Sequence, residues 1–145
     1  MPTVADILAI KGPQVHSTTP GATVLQATQK MNQYKLGALI VMQGNDVAGI
    51  FTERDVLRRV VAEQKDPATT TIAEVMTTSV HCVKPETDLD EVSSIMQQRK
   101  IRHLPVCDAN GRLHGMISLG DVNAFNVRNQ EAHINFLNEY IYGRA

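Results

Sequence analysis

Two short stretches hold residue types suited to ligand chemistry. Thr52-Glu53-Arg54-Asp55 and Ser118-Leu119-Gly120-Asp121 each end an apolar run and open a helical one. A hydroxyl at a helix start lies beside unpaired backbone N–H groups and the positive end of the helix dipole. Such a corner binds phosphate or other anions. An Asp one turn in accepts only, which suits it to grip vicinal ribose hydroxyls. The same S/T-x-x-D spacing is also an ordinary helix cap, so either stretch alone supports both readings.

The cationic groups nearby differ between the two stretches. Arg102-His103 offers two phosphate donors, whereas the matching Gly37-Ala38 offers none. Arg54, with Arg58 and Arg59 one turn on, serves either the first corner or an exposed helix face. On this comparison the two corners are unequal, and the second is expected to hold phosphate better. Five histidines and two cysteines raise the question of a metal, but no C-x-x-C or H-x-x-x-H spacing is present, and no metal site is expected. His16 and His81 recur at matched places, and both precede strands that satisfy a histidine through the backbone. No nucleophile elbow, H-E-x-x-H or P-loop occurs, so no catalytic residue is expected. Met31, Met42, Met76, Met96 and Met116 sit at apolar periodic positions and read as core.

Both stretches lie at the same place in an internal repeat. His16 falls on His81, Pro20 on Pro85, Met31 on Met96 and Val41 on Val106; Gly49 then falls on Gly115 and Asp55 on Asp121, one residue further along. The lead-ins also agree, Thr3-Val4-Ala5-Asp6-Ile7-Leu8 against Thr71-Ile72-Ala73-Glu74-Val75-Met76. Repeats of this length are supersecondary units that bury their apolar faces against one another. Residues 1–70 are read as the first repeat with its lead-in and linker, 71–128 as the second, and 129–145 as a C-terminal helical tail.

Each repeat reads as strand, helix, strand, turn, strand, helix. Val15 to Ser17 and Val80 to Val83 are short extended segments. Val24, Ala27, Met31 and Tyr34 predict one face of a helix, with Thr23 and Gln26 as a capping box. Leu89, Val92, Ile95 and Met96 predict its copy, capped by Thr87 or Asp88. Leu36 to Met42 and Ile101 to Cys107 are near-continuous apolar runs, as in strands covered on both faces. Gly44-Asn45-Asp46 and Asn110-Gly111 are turns, the second favouring type I′ geometry, before return strands Val47 to Phe51 and Leu113 to Ile117. Helices follow over Glu53 to about Glu63 and Leu119 to about Val127. Gln64 to Thr70 reads as linker. In the tail, Ile134, Leu137 and Ile141 form a stripe beside Tyr140, which either packs on its own domain or meets a second copy.

With 145 residues the chain is long enough for one domain with a real core. Its net charge of -1 lacks the basic field that nucleic acid or anionic membranes attract. Aromatic side chains are too few for a base-stacking platform. There is no long apolar run and no signal-peptide pattern. No nucleic-acid or membrane partner is expected, and without a framework of paired cysteines the expected location is cytoplasmic.

The G-h-h-T/S-x-x-D corner in both copies, the Arg102-His103-Leu104-Pro105-Val106 strand and the paired lead-ins resemble a tandem of CBS motifs, the cystathionine β-synthase domain, in its stand-alone (Bateman) form. The resemblance covers about Thr3 to Val127. It implies an α/β (α+β) fold of two pseudo-symmetric β-α-β-β-α repeats packed sheet to sheet. It also implies a regulatory module that binds AMP, ADP or ATP, or else NAD or S-adenosylmethionine, in clefts between repeats, with homodimerisation. Carried over by position, Asp55 and Asp121 would hold the ribose. Thr52 and Ser118 would contact ribose or phosphate, with Arg102, His103 and Arg54 as phosphate donors. The adenine pocket would be lined by Val15, His16, Ser17 and Thr18 and by Ser79, Val80, His81 and Cys82. Its other wall would be Leu36, Gly37, Ala38 and Leu39, together with Ile101, Leu104 and Ile117. The expected output is a ligand-linked change in packing or in binding to an effector protein. The alternatives are a dimerisation scaffold with vestigial sites and a small nucleotide hydrolase with Asp55 or Asp121 as base; the missing water-activating constellation argues against the hydrolase. The helix faces at Val24/Met31 and Leu89/Met96, with the tail stripe, are the expected dimer surfaces.

Overall fold

The computed structural model describes residues 1–141. Tyr142 and the last three residues of the tail lie outside the described residues. Helix α1 spans Val4–Lys11 and precedes a first sheet of β1 (Ser17–Thr18), β2 (Ala38–Gln43) and β3 (Asp46–Thr52), in that order. Strand β1 runs parallel to β2, and β3 returns antiparallel. Helix α2 (Val24–Tyr34) connects β1 to β2. After β3 the chain turns at once into α3 (Glu53–Asp55), which continues as a π-helical segment over Val56–Val61. The second copy has α4 (Ile72–Val75), α5 (Leu89–Arg99), the hairpin β4 (His103–Cys107) and β5 (Leu113–Ser118), and α6 (Leu119–Ile141). Val80 to Val83 does not form the expected strand. It contributes only a parallel bridge from Val83 to Val106.

Local chemistry explains the helix starts. The Thr23 hydroxyl accepts from the Gln26 N–H at 3.1 Å, and the Gln26 side chain accepts from the Thr23 N–H at 3.0 Å. The next two orphan N–H groups of α2, those of Val24 and Leu25, donate to the Thr70 and Pro67 carbonyls, each at 2.9 Å. The linker is thus part of the cap of α2. At α5 the cap is Asp88, without a side-chain bond.

Alternation along the strands sorts the sheets into two faces. Leu39, Val41 and Phe51 join Val24, Ala27 and Met31 of α2 in one core, and Leu104, Val106 and Ile117 join Leu89, Val92 and Met96 of α5 in another. The helix faces expected at a dimer interface are therefore buried inside each repeat. Ile40 and Ile50, paired across β2 and β3, are buried yet outside both cores, because period-2 geometry sends them to the opposite face. That face meets the other repeat.

The lead-ins cross over. Val4 and Ile7 of α1 complete the second core, and Ile72 and Val75 of α4 complete the first. Each crosses its sheet at a glycine. A Cβ on Gly49 would stand 2.6 Å from the Thr77 carbonyl oxygen, and one on Gly115 would stand 2.9 Å from Leu8 Cδ2. At Gly49 the backbones bond directly, Ile50 and Thr77 exchanging two N–H···O bonds of 2.9 Å.

Three further expectations need correction. Tyr34 is 47% exposed rather than core; its ring stacks on His16 with centroids 4.2 Å apart. The Asn110-Gly111 turn is not type I′, since Gly111 alone has a positive φ, of 80°. The Asp108 carboxylate organises it instead, accepting from the N–H groups of Asn110 and Arg112 at 2.9 and 3.0 Å. The tail is not a separate element: α6 runs unbroken to Ile141. Val122 is its one buried position, and the tail stripe is exposed, Ile134 at 54% and Ile141 at 62%, rather than packed on its own repeat.

Gly49→Ala is expected to cost about 1–3 kcal/mol through overpacking, lowering the melting midpoint by about 3–10 °C. Gly21→Ala, where an added Cβ meets nothing within 4 Å, is the control and should stay within about 0.5 kcal/mol. Thermal denaturation followed by circular dichroism reads both. An unshifted Gly49→Ala midpoint would mean that the crossing segment yields freely.

Candidate functional site

The first corner is a reciprocal cap. The Thr52 N–H donates to Asp55 Oδ2 at 3.0 Å, and the Asp55 N–H donates to Thr52 Oγ1 at 3.3 Å. Asp55 is 5% exposed. Its other oxygen accepts from Thr77 Oγ1 at 3.2 Å and lies 3.6 Å from Arg59 Nε. The aspartate is thereby held at the point where the crossing lead-in meets β3.

This corner forms one wall of a cleft of about 370 Å³ between the repeats, within the range of small-molecule sites. The first repeat contributes Gly37, Ile50, Thr52, Glu53, Arg54, Asp55, Arg58 and Arg59; Thr77, Ser79, Val80, His81, Ile101, Arg102, His103 and Pro105 face them. Four guanidinium groups and two imidazoles thus meet two carboxylates. Arg54 is held by the Lys100 carbonyl at 2.7 Å, and Arg59 by the Met76 carbonyl at 2.9 Å. Both bonds run to residues beyond the first repeat. Arg58 and Arg102 are exposed on the rim. The π-helical segment carries Arg58 and Arg59, and π-turns concentrate at functional sites.

His103 lies against the backbone of Gly37, where an added Cβ would stand 3.1 Å from Cε1 and 3.2 Å from Nε2 of the ring. Gly37 is therefore a glycine for close approach rather than for turn geometry. Burial pushes the His103 imidazole below its ordinary pKa; Glu53 pulls in the opposite direction and does not outweigh it. Burial thus favours the neutral ring.

The second corner keeps the same cap. The Ser118 N–H donates to Asp121 Oδ2 at 2.9 Å, and the Asp121 N–H donates to Ser118 Oγ at 3.0 Å. Its surroundings differ. Lys11 Nζ donates to Asp121 Oδ2 at 2.9 Å and to the Met116 carbonyl at 2.8 Å. Burial pushes the Asp121 carboxyl up, but the bonds from Lys11 and Ser118 outweigh it and leave the pKa below the ordinary carboxylate value.

Arg102 and His103 were expected at the second corner; the structure places them with Asp55. Strand β4 faces the first corner across the interface between the repeats, a proximity that matching positions within a repeat does not show. Leu39, Leu104 and Ile117 are fully buried in the two cores and line no cleft. Their strand neighbours Ile50 and Pro105 do, a shift of one residue that changes the face. Ala38 is likewise buried, and Leu36 packs against the first core. Cys82 turns aside, its Sγ 3.4 Å from Cys107 Sγ; burial and that contact push the Cys107 thiol up to about 12. Of the first repeat's extended segment, His16 stacks on Tyr34 and the Ser17 carbonyl accepts from Lys30. Val15 and Thr18 are half-buried and outside the cleft. Ile50, Thr77, Glu53 and Pro105 were not singled out from sequence. Strand alternation from the buried Phe51 could have found Ile50, whereas nothing local marks Thr77.

Because the folded state disfavours His103 protonation, the unfolded chain binds the extra proton below about pH 6.5. Stability should therefore fall as pH drops through the window beneath 6.5. His103→Asn should flatten that fall between about pH 6.5 and 5, read as melting midpoints across a pH series. Parallel profiles for the two proteins would show that His103 titrates as it does in the unfolded chain.

The CBS domain family matches the chain twice, over residues 4–62 and 72–125. Over 97% of its length the chain is 33% identical to the CBS domain-containing protein CBSX3, mitochondrial, of Arabidopsis thaliana, covering 72% of that protein. The CBS-domain containing protein ATU1752 of Agrobacterium tumefaciens superposes with a TM-score of 0.81 at 32% identity, over 86% of this chain and 99% of its own. The CBS domain pair of protein MJ0100, crystallised in complex with 5′-methylthioadenosine and S-adenosyl-L-methionine, superposes with a TM-score of 0.76 over 86% of this chain and 98% of its own. At 22% identity that likeness shows the fold alone. With the family matched in both repeats and a relative 33% identical over nearly the whole chain, the chain belongs to the CBS domain family as a tandem pair.

Proposed function

We propose that the chain is a non-catalytic regulatory module that binds an adenine nucleotide in the Asp55 cleft and signals through the packing of its two repeats. One observation carries this reading: a phosphate-type corner, Thr52 to Asp55, opens on a cleft where Arg54, Arg58, Arg59, Arg102 and His103 converge from both sides. Asp55 would accept from the ribose hydroxyls, Ile50, Val80 and Ile101 would flank the base, and the arginines would take the phosphates. Four arginines against Glu53 and Asp55 favour AMP, ADP, ATP or NAD over the cationic S-adenosylmethionine. A ligand touching both repeats shifts their packing by no more than its differential affinity for the two arrangements. The change would pass to an effector protein or to a second copy, in the cytoplasm. Among the described residues no helix is long and apolar enough to cross a membrane.

Calorimetry with a nucleotide panel tests the ligand class. Arg102→Ala should weaken ATP binding about tenfold to a hundredfold, the loss of one charge-assisted bond, and leave adenosine nearly unchanged. Asp55→Asn should weaken both. No heat and no thermal stabilisation with any adenosine ligand at millimolar concentration would overturn the reading.

The exposed stripe on α6 supports the second-copy output. Ile134, Phe136, Leu137, Tyr140 and Ile141 are each at least 40% exposed on one projecting helix, a surface that favours burial. Light scattering should report a homodimer at tens of micromolar, and deletion from Asn129 onward should weaken it. A monomeric full-length chain at that concentration would refute the dimer.

A further inference from the structure

The second corner reproduces the cap of the first, but none of the first cleft's arginines recurs at the matching positions. Gly120, Ala124 and Phe125 stand in the sequence places of Arg54, Arg58 and Arg59, and Gly37-Ala38 in those of Arg102-His103. The guanidinium that lines the groove there belongs to Arg128, two turns beyond Asp121 on α6. Beside Asp55 the counter-ion is Arg59 at 3.6 Å, from the same helical segment. Beside Asp121 it is Lys11 at 2.9 Å, from the other end of the chain. Lys11 gets there because α1 runs eight residues whereas α4 stops after four, its chain turning extended at Met76 with ψ 158°. Lys11 lies in a groove with Ile7, Ile10, Ala124, Phe125 and Arg128. The ammonium makes two protein bonds, one to the carboxylate and one to the Met116 carbonyl of β5.

We infer that the second corner is a clasp rather than a ligand site: Lys11 takes the Asp121 carboxylate as its own partner, fastens α1 to β5 and α6, and leaves each chain one nucleotide site, in the Asp55 cleft. The stoichiometry rests on the nucleotide reading above; the clasp does not. Lys11 is thus a positioning residue, and its ion pair has a ligand-independent readout.

A double-mutant cycle on the full chain tests the clasp. Lys11→Met keeps the apolar stem, and Asp121→Asn keeps the shape of the cap. Each single change should lower the melting midpoint by about 2–5 °C, and the double variant should melt no lower than the worse single one. Additive losses, or none, would overturn the clasp. ATP titration tests the stoichiometry: wild type should take one equivalent, weakened in Asp55→Asn and unchanged in Lys11→Met. Two equivalents in wild type, one of them disappearing in Asp121→Asn, would overturn the inference while upholding the nucleotide reading. If wild type binds no ATP, the nucleotide reading and the one-site stoichiometry fall together, and the melting cycle still decides the clasp.

Discussion

Neither repeat closes its own core. Val4 and Ile7 seal the second, and Ile72 and Val75 seal the first, all at 4% exposure or less. Full burial of such side chains contributes about 1.5–3 kcal/mol each, so the four together match much of the roughly 5–15 kcal/mol net stability of a domain. Pulling the repeats apart would open both cores. The crossing also builds the cleft. Thr77 reaches Asp55 only because the segment after α4 runs back across β3 at Gly49, and His81 follows on the same segment. The packing that holds the fold together therefore also sets the spacing of the groups that would contact a ligand.

Much of this was legible where the governing contacts are local. The Thr23–Gln26 box and the two S/T-x-x-D corners each close within four residues, so residue type and spacing suffice. The apolar runs around Leu39 and Leu104 announced strands covered on both faces, and β2 and β4 are such strands. What escaped depends on distance or phase. The two lead-ins are near copies, so nothing in either says which core it joins. Strand alternation decides whether Phe51 or Ile50 faces the cleft, and a phase error of one residue sent Leu39, Leu104 and Ile117 to the wrong side. Tyr34 continued the apolar spacing of α2 but fell at its last residue, beyond the sheet, where it stacks on His16 instead.

The cations show the same limit more sharply. Matching the copies by sequence assigned Arg102 and His103 to the second corner, since they belong to the second repeat. In a pseudo-symmetric pair, however, a cleft is made by one repeat's corner and the other repeat's strand. The residues that matter to Asp55 are therefore those of β4, and Gly37 matters as the gap into which His103 fits. A duplicated sequence shows which elements exist twice, while the pairing of corner with wall belongs to the interface between them.

Duplication kept the backbone and let the chemistry diverge. At three helical positions the first copy has Arg54, Arg58 and Arg59, and the second has Gly120, Ala124 and Phe125. The longer α1 explains part of that difference. It lies along α6, and Phe125 packs against the second core, where an arginine would carry charge into an apolar contact. The shorter α4 leaves the matching side of the first corner open, and there the exposed guanidinium groups cost little and face a cleft. Lead-in length thus sets the chemistry each corner can hold. On the proposed reading, a ligand acts on one side of the pseudo-twofold while an internal ion pair fixes the other, so its binding energy would bias a single cleft rather than two.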